Sequence, residues 1–453
     1  MRSALRPLAL PVFRRLAAAR FIDELGDWLG EIALAVLVFD QTGSPMAVAA
    51  LFVALQFVPA IATPPLVARL EALPTRGVLA ALNAVQALVF SALALLAPHF
   101  ALLPVIVLAA IGGGLAVSGR ALSRAAAAVT TEPHGLLREG NAVLNVAFTV
   151  GAAGGPALAG LVVASAGVRT ALFADAASFA LVAVLMATAA RIPRAAVEEV
   201  GSLERMRRVF TYVRENPLLR TLIAAQAAAF IFFALVIPIE VVFAKETLDA
   251  GDVGYGVLLA SWGAGMVAGS IAFALLRDIS LRVLLPTSTL AIGAAYLLTG
   301  LSPTLLVACL ASIVGGIGNG IEWVTLVTAM QQLTSSQYQA RVMSLVDSVA
   351  RAAPGVGFVL GGAIAAMFSP RASYAVAGVG VIAVLAIAFA ALSRAGWRGE
   401  PVAAPEPEPF APEPVPLEGA RPADGPIPGS GRFKREVETP EAPETVETSD
   451  APR

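Results

Sequence analysis

The chain repeats itself at an offset of 202 residues, and the repeat runs through long apolar stretches. Leu103, Leu108, Ala109, Ile111, Gly113 and Gly114 recur as Leu305, Leu310, Ala311, Ile313, Gly315 and Gly316. Further on, Gly155, Leu158, Gly160 and Arg169 recur as Gly357, Leu360, Gly362 and Arg371. One register holding across two apolar stretches and the loop after them is hard to obtain by chance. It implies two homologous halves, each a set of hydrophobic helices. That pattern belongs to secondary transporters, whose site lies between the repeats near the bilayer midplane.

Composition agrees with a chain solvated by lipid. Of the 453 residues, 57% are hydrophobic and 14% charged, with a mean hydropathy of +0.78. A soluble chain carries about 25% charged residues. A span needs about 20 mostly apolar residues. Twelve such stretches are expected, at 18–40, 46–68, 77–97, 101–123, 141–165, 169–190, 218–243, 253–276, 281–300, 303–328, 341–367 and 371–393. The fold expected is an all-α integral membrane protein of two pseudo-symmetric six-helix halves.

The organisation expected is a first half over 1–190, a linker over 191–217, a second half over 218–393 and a tail over 394–453. In the linker Leu203, Met206, Val209, Phe210 and Val213 fall at helical spacing against Glu204, Arg205, Arg207, Arg208 and Arg214. That is an amphipathic basic helix suited to the inner leaflet. From Arg398 onward the tail holds 12 acids and 6 bases among repeated Pro-Glu pairs, cannot bury a core and is expected to be disordered. Of the 31 basic residues, 27 fall in inner loops, termini or inner helix ends if the N-terminus is inside. Arg169, Lys245 and Arg371 then lie outside and Arg351 within a span. This asymmetry places both termini in the cytoplasm, in an inner or plasma membrane. The first apolar run is long and carries acids, so it is expected as a retained helix rather than a removable leader.

Few chemistries remain open. The single cysteine, Cys309, permits no intrachain disulfide, and the two histidines, His99 and His134, fall in loops, so no metal site or cofactor is expected. There is no Gly-x-Ser-x-Gly elbow, no metal-ligand pair and no phosphate-cradling loop, so an enzyme is not expected. Partners are expected to be a small-molecule substrate, protons and lipid, with no nucleic acid, and the protein is expected to act as a monomer.

Residues carrying a family resemblance are Phe13-Arg14-Arg15-Leu16, Gly26-Asp27, Thr42-Gly43-Ser44-Pro45, Asn141-Ala142-Val143-Leu144 and Arg341-Val342-Met343-Ser344-Leu345. Together with twelve spans, 6+6 symmetry and a basic central loop, they resemble the major facilitator superfamily over about residues 10–395. Within it the sequence is similar to the exporter branch of enterobactin and macrolide efflux proteins. Gly151, Gly155, Pro156 and Gly160 resemble the fifth-helix antiporter motif GxxxGPxxGG, with Ala159 the one departure. The resemblance implies export; a small-residue packing seam with a proline kink accounts for the same residues. The loop after the second span departs from the family's GxLaDrxGRr, keeping only Arg69, Glu71 and Arg76 as candidate gating residues, with Glu71 facing the start of the eleventh helix. An uncoupled carrier, receptor or scaffold on the same fold is the alternative this departure leaves open.

Charges inside spans are expensive and need a reason. Asp23, Asp27 and Glu31 share one face of the first helix at spacing i, i+4, i+8, beside Glu24. Three ionised carboxylates on one stripe repel, so the stripe suits proton exchange or a cationic substrate, with Arg15 or Arg20 as structural partners for Asp23 and Glu24. Asp347 and Arg351 form an i, i+4 pair in the eleventh span, or Arg351 faces the cavity. Arg120 and Glu322 are equivalent under the 202 offset and suggest an inter-half charge pair. Asp175 suggests an Arg169 partner. Gln56, Asn83, Gln86, Asn145, Gln226 and Asn319 are polar candidates for cavity lining or interhelical bonding. Pro238, Pro354-Gly355 and Gly155-Pro156 are expected to permit bends. Trp28, Trp262 and Trp323 suggest anchors or packing.

Overall fold

The computed structural model describes residues 5–399 apart from 72, 191, 193–201 and 277. Its helices are α1 (Pro11–Thr42), α2 (Pro45–Ala62, extended by Pro64–Glu71), α3 (Thr75–Leu96), α4 (Leu102–Thr131), α5 (Leu137–Ala166) and α6 (Val168–Ala187). After the linker helix α7 (Ser202–Glu215) come α8 (Pro217–Thr247), α9 (Gly251–Leu275), α10 (Leu281–Leu301) and α11 (Leu305–Gln332). The last are α12 (Ser336–Ala352, continued by Pro354–Met367) and α13 (Pro370–Arg394). Eleven of these, among the described residues, are long and apolar enough to cross a membrane. The twelfth crossing is α1, which spans 32 residues but carries too many charges to pass on hydropathy alone.

Local chemistry sets the ends. Ser44, Asn216, Thr304 and Ser369 each accept a backbone N–H three residues on, capping α2, α8, α11 and α13. Gly43 closes α1 in the left-handed region at φ +57°, its N–H bonded to the Phe39 carbonyl at 2.7 Å. The repeat is visible in the bounds: α4 shifted by 202 runs 304–333 (102 + 202 and 131 + 202), against the observed Leu305–Gln332.

Two expected bends are present. A short 3₁₀ segment, Ile237–Ile239, interrupts α8 at Pro238, and α12 breaks at Ala353 before Pro354. At the third, Pro156 sits within the continuous helix Leu137–Ala166. Neighbouring helices press on that stretch: Gly151 and Gly155 lie flush against Glu24 and Trp28 of α1 and Gly160 against Gly256 of α9. An unforeseen π-turn, Val53–Phe57, displaces the middle of α2.

Contacts between helices 1–6 and 8–13 run chiefly through α5 with α9 and α2 with α12. A half-turn exchanging the repeats exchanges these two seams. Both rest on glycine: a Cβ on Gly256 would stand 2.5 Å from the Pro156 carbonyl oxygen and 2.9 Å from the Gly160 Cα, and one on Gly362 would stand 2.6 Å from the Ala49 Cβ. Small residues at such crossings let backbones approach where lipid supplies no hydrophobic drive.

Two sequence expectations are revised. Val209 and Val213 of α7 are buried in a cluster with Leu219, Val342 and Val346, and Tyr212 stacks on Tyr338 at 4.2 Å, so this face docks on the second set of helices rather than on lipid. Phe210 stays exposed, and the side chains of residues 202–208 lie outside the described residues. Secondly, the tail was expected from 394, but Trp397 is buried. The chain turns back at Gly396 (φ +74°), where Trp397 N–H reaches the Leu392 carbonyl at 3.0 Å and its ring joins Leu281 and Leu392 in the core. Residues 400–453 lie outside the described residues.

Candidate functional site

A cavity of about 220 Å³ lies among α1, α2, α3, α4 and α12. Asp27 and Glu31 of α1 line it one helical turn apart, with Gln56 of α2, Gln86 and Phe90 of α3, Arg120 of α4 and Arg351 of α12. Leu55, Val117 and Pro354 add apolar wall. The cavity therefore draws most of its lining from the first six helices and its remaining face from the broken middle of α12. The π-turn in α2 and Gly112–Gly113 of α4 shape it: Gly113 has no room for a Cβ against the Leu55 carbonyl, and Phe90 leans over Gly112.

Arg120 donates from Nη1 to Asp27 Oδ2 at 2.9 Å, the two side chains 33% and 23% exposed. This replaces the expected pairing of Arg120 with Glu322. Arg120 finds an acid on the neighbouring α1 of its own half, while Glu322 is buried on α11 and no ion pair to it is present among the described residues. Glu31 accepts a long 3.4 Å hydrogen bond from Gln56 Nε2. Asp23 is not among the lining residues; Arg20 lies 3.7 Å from it and 2.6 Å from Glu24. One stripe of three acids thus divides into a pair facing the cavity and one residue tied to an arginine a turn away.

Other candidates fall elsewhere. Asp175 is fully buried in a notch formed by Gly26 and Gly30 of α1, with Ser178 Oγ donating to its Oδ1 at 3.3 Å. Its expected partner Arg169 instead covers the Phe173 ring at 5.6 Å. Asn83 donates to the Leu79 carbonyl within its own helix, and Asn145 is exposed. Of the loop residues, Arg69 is exposed and Arg76 donates to the Ala189 carbonyl at 3.1 Å. The side chains of Glu71 and Asp347 lie outside the described residues. Trp262 stacks on Tyr296 at 5.2 Å and packs inside the second set of helices.

A third feature has no precursor in the sequence reading beyond the placement of Lys245 outside. At the end of the bundle away from α7, Lys245 Nζ bonds Asp40 Oδ1 at 2.6 Å and Asp252 Oδ1 at 2.7 Å. Asp40 ends α1, Lys245 ends α8 and Asp252 begins α9, so the ammonium ties the two sets of helices together. The signal available in sequence was that a lysine stands close to a helix end opposite acids; nothing local says which acid it meets.

Twelve membrane-crossing helices in a repeated arrangement, with a polar cavity among five of them, are the architecture of a secondary transporter of the major facilitator fold. The pattern of the family described as transmembrane secretion effector matches residues 2–414, and the chain belongs to this family of major facilitator transporters, not to the enzymes. Over 238 residues it is 27% identical to the multidrug efflux pump Tap of Mycolicibacterium fortuitum, covering 51% of this chain and 57% of that pump's own length. Among solved structures, a bacterial homologue of the human lysosomal transporter Spinster, inward-facing and occupied, superposes with a TM-score of 0.67 at 14% identity, covering 85% of this chain and 96% of that one. The nucleoside transporter NupG gives 0.65 at 13%, covering 85% and 100%. A bacterial homologue of the iron transporter ferroportin, inward-facing, gives 0.64 at 14%, covering 85% and 99%. At these identities the structures share the fold.

Proposed function

We propose that the protein is a proton-coupled exporter of small amphipathic or hydrophobic compounds that works by alternating access. The observation that carries this reading is the charge content of the cavity: Asp27 and Glu31 face it within the bundle, beside Arg120 and Arg351. Such groups are costly in a membrane and are kept where moving charge is the task. Export is supported by the Gly151, Gly155, Pro156, Gly160 motif and by the likeness to an efflux pump.

In this mechanism residues 1–190 and 218–393 rock as two bodies joined by 191–217, each chain acting alone. The distribution of basic residues supports a cytoplasmic position for the α7 end and both termini, in a plasma or inner membrane. A proton delivered to Asp27 cancels the charge that holds Arg120 at 2.9 Å. Arg120 is then released to reshape the cavity, and the attraction for a cationic cargo falls as the proton arrives. Proton and cargo thereby compete for the same charged site and travel in opposite directions, which is antiport. Lys245 and Asp40 hold the far end shut and must part for the cavity to open there.

The test is a pH-gradient assay in energised inverted vesicles with a panel of cationic and neutral amphipathic drugs. Substrate-dependent collapse of the gradient is expected with the wild type and not with Asp27→Asn/Glu31→Gln. Equal collapse with the double variant would remove the proposal.

A further inference from the structure

Gln86 is 2% exposed and lines the cavity, yet its Nε2 is buried with no hydrogen-bond partner among the described residues. Its neighbour Asn83, one turn earlier on α3, bonds the Leu79 carbonyl of its own helix. Gln86 has no such bond among the described residues, and a small turn of its amide toward the cavity it lines would bring its donor onto a bound acceptor.

The other walls state what else such a ligand must have. Of the two lining acids, Asp27 is engaged by Arg120 at 2.9 Å, whereas among the described residues Glu31 holds the amide of Gln56 alone, at 3.4 Å. Glu31 is accordingly the acid left for a cationic group on the cargo. Phe90 follows Gln86 by one turn on the same helix face, held against Phe179 at 5.2 Å, and offers a fixed aromatic wall. Arg351 lines the cavity from α12. The volume, about 220 Å³, lies below the roughly 300–1,000 Å³ of drug-sized sites.

We infer that the cavity selects compact aromatic or apolar amines that also carry a carbonyl-type acceptor, with Glu31 receiving the amine and Gln86 donating to the acceptor. This rests on the transport reading above and names its cargo class. Gln86 is then a specificity residue: it separates an amine with an acceptor from the same amine without one. A site built around a buried donor discriminates by leaving that donor unpaired when the wrong ligand binds. An acceptor that is a carboxylate would meet Arg351 as well, and one that is an amide would not gain from its charge.

The experiment measures binding to the full chain in nanodiscs by calorimetry, with no gradient present. The probes are phenethylamine, phenylalaninamide and phenylalanine. Wild type is expected to bind phenylalaninamide about tenfold tighter than phenethylamine, the recovery of about one buried hydrogen bond. In Gln86→Met, close in volume, that ratio is expected to fall to near one; in Gln86→Glu, which presents only acceptors, it is expected to invert. Phenylalanine binding tighter than phenylalaninamide, with the advantage lost in Arg351→Gln, would assign the acceptor as a carboxylate, and the reverse order would assign it as a neutral carbonyl. A wild type with no preference for the acceptor, no binding of any probe to folded protein, or a ratio retained in both Gln86 variants would overturn the inference. Gradient collapse with other drugs in the vesicle assay would leave export standing while this selection falls; loss of both would remove the two together.

Discussion

Replacing Lys245 by Met deletes the ammonium that joins α1 to α8 and α9 while keeping the length of the side chain. Only its bond to Asp40 crosses between the two sets of helices, since Asp252 lies on α9 beside Lys245. The Asp40 carboxylate is 43% exposed, so water and salt screen the 2.6 Å contact. That leaves it worth about 0.5–1 kcal/mol, the upper part of the range for exposed pairs. Such an energy shifts a two-state equilibrium by about two- to fivefold. Asp40 and Asp252, no longer bridged, add repulsion in the same direction. The ratio of open to closed states at this end is thus expected to rise about fivefold. Spin labels at His99→Cys and Leu301→Cys, in a Cys309→Ser background, report it by pulsed electron–electron distance measurement. Both positions are exposed at the same end of the bundle and related by the 202 offset (99 + 202 = 301). Salt supplies an internal control, because at 1 M the screening length falls to about 3 Å. Wild type should then move toward the variant, while the variant, left only with the Asp40–Asp252 repulsion that salt also screens, should move slightly the other way. Identical distance distributions for the two proteins at low salt, or an equal salt response in both, would refute the latch.

Three further outcomes follow from packing and charge. Gly256→Val forces side-chain atoms against the Pro156 carbonyl and Gly160 backbone, and overpacking of about 1–3 kcal/mol should part the α5–α9 seam; the same pair of spin labels should show a longer mean separation. Val213→Asp places a charge in a site 7% exposed, at a cost of at least about 2 kcal/mol, and should undock α7, read as faster limited proteolysis in the linker with the helical circular dichroism retained. Gly30→Leu intrudes on the notch that holds Asp175 and should lower the melting temperature of the detergent-solubilised protein more than Gly77→Leu, where a Cβ meets nothing within 4 Å.

Much of the fold could be read before any coordinates because its determinants are local in sequence. A span is a run of apolar residues, and the crossings expected at 77–97 and 281–300 appear as Thr75–Leu96 and Leu281–Leu301. The first helix was legible as an apolar run over 18–40 despite its acids, and appears as Pro11–Thr42. Asp27, Glu31, Gln56, Gln86 and Arg351 were singled out as polar groups in apolar surroundings, and all five line one cavity.

Which group each meets was decided by tertiary structure alone. Sequence symmetry offered Arg120 one acid, Glu322, and no sequence argument offered Asp27, which the packing of α4 beside α1 selected. Asp175 went to a glycine notch rather than to Arg169, and Lys245 to an acid 205 residues away. The physical cause is the solvent. In water, an amphipathic stripe tells which way a helix faces, as it does for Val209 and Val213 of α7. In lipid, apolar residues suit every face, so periodicity loses the rotation of each helix, and glycine contacts and π-turns set it instead. Sequence alone determined how many helices cross, roughly where they lie and that they come as two copies; the rotation of each helix, and with it every charge pair and the cavity, was decided only when the helices packed.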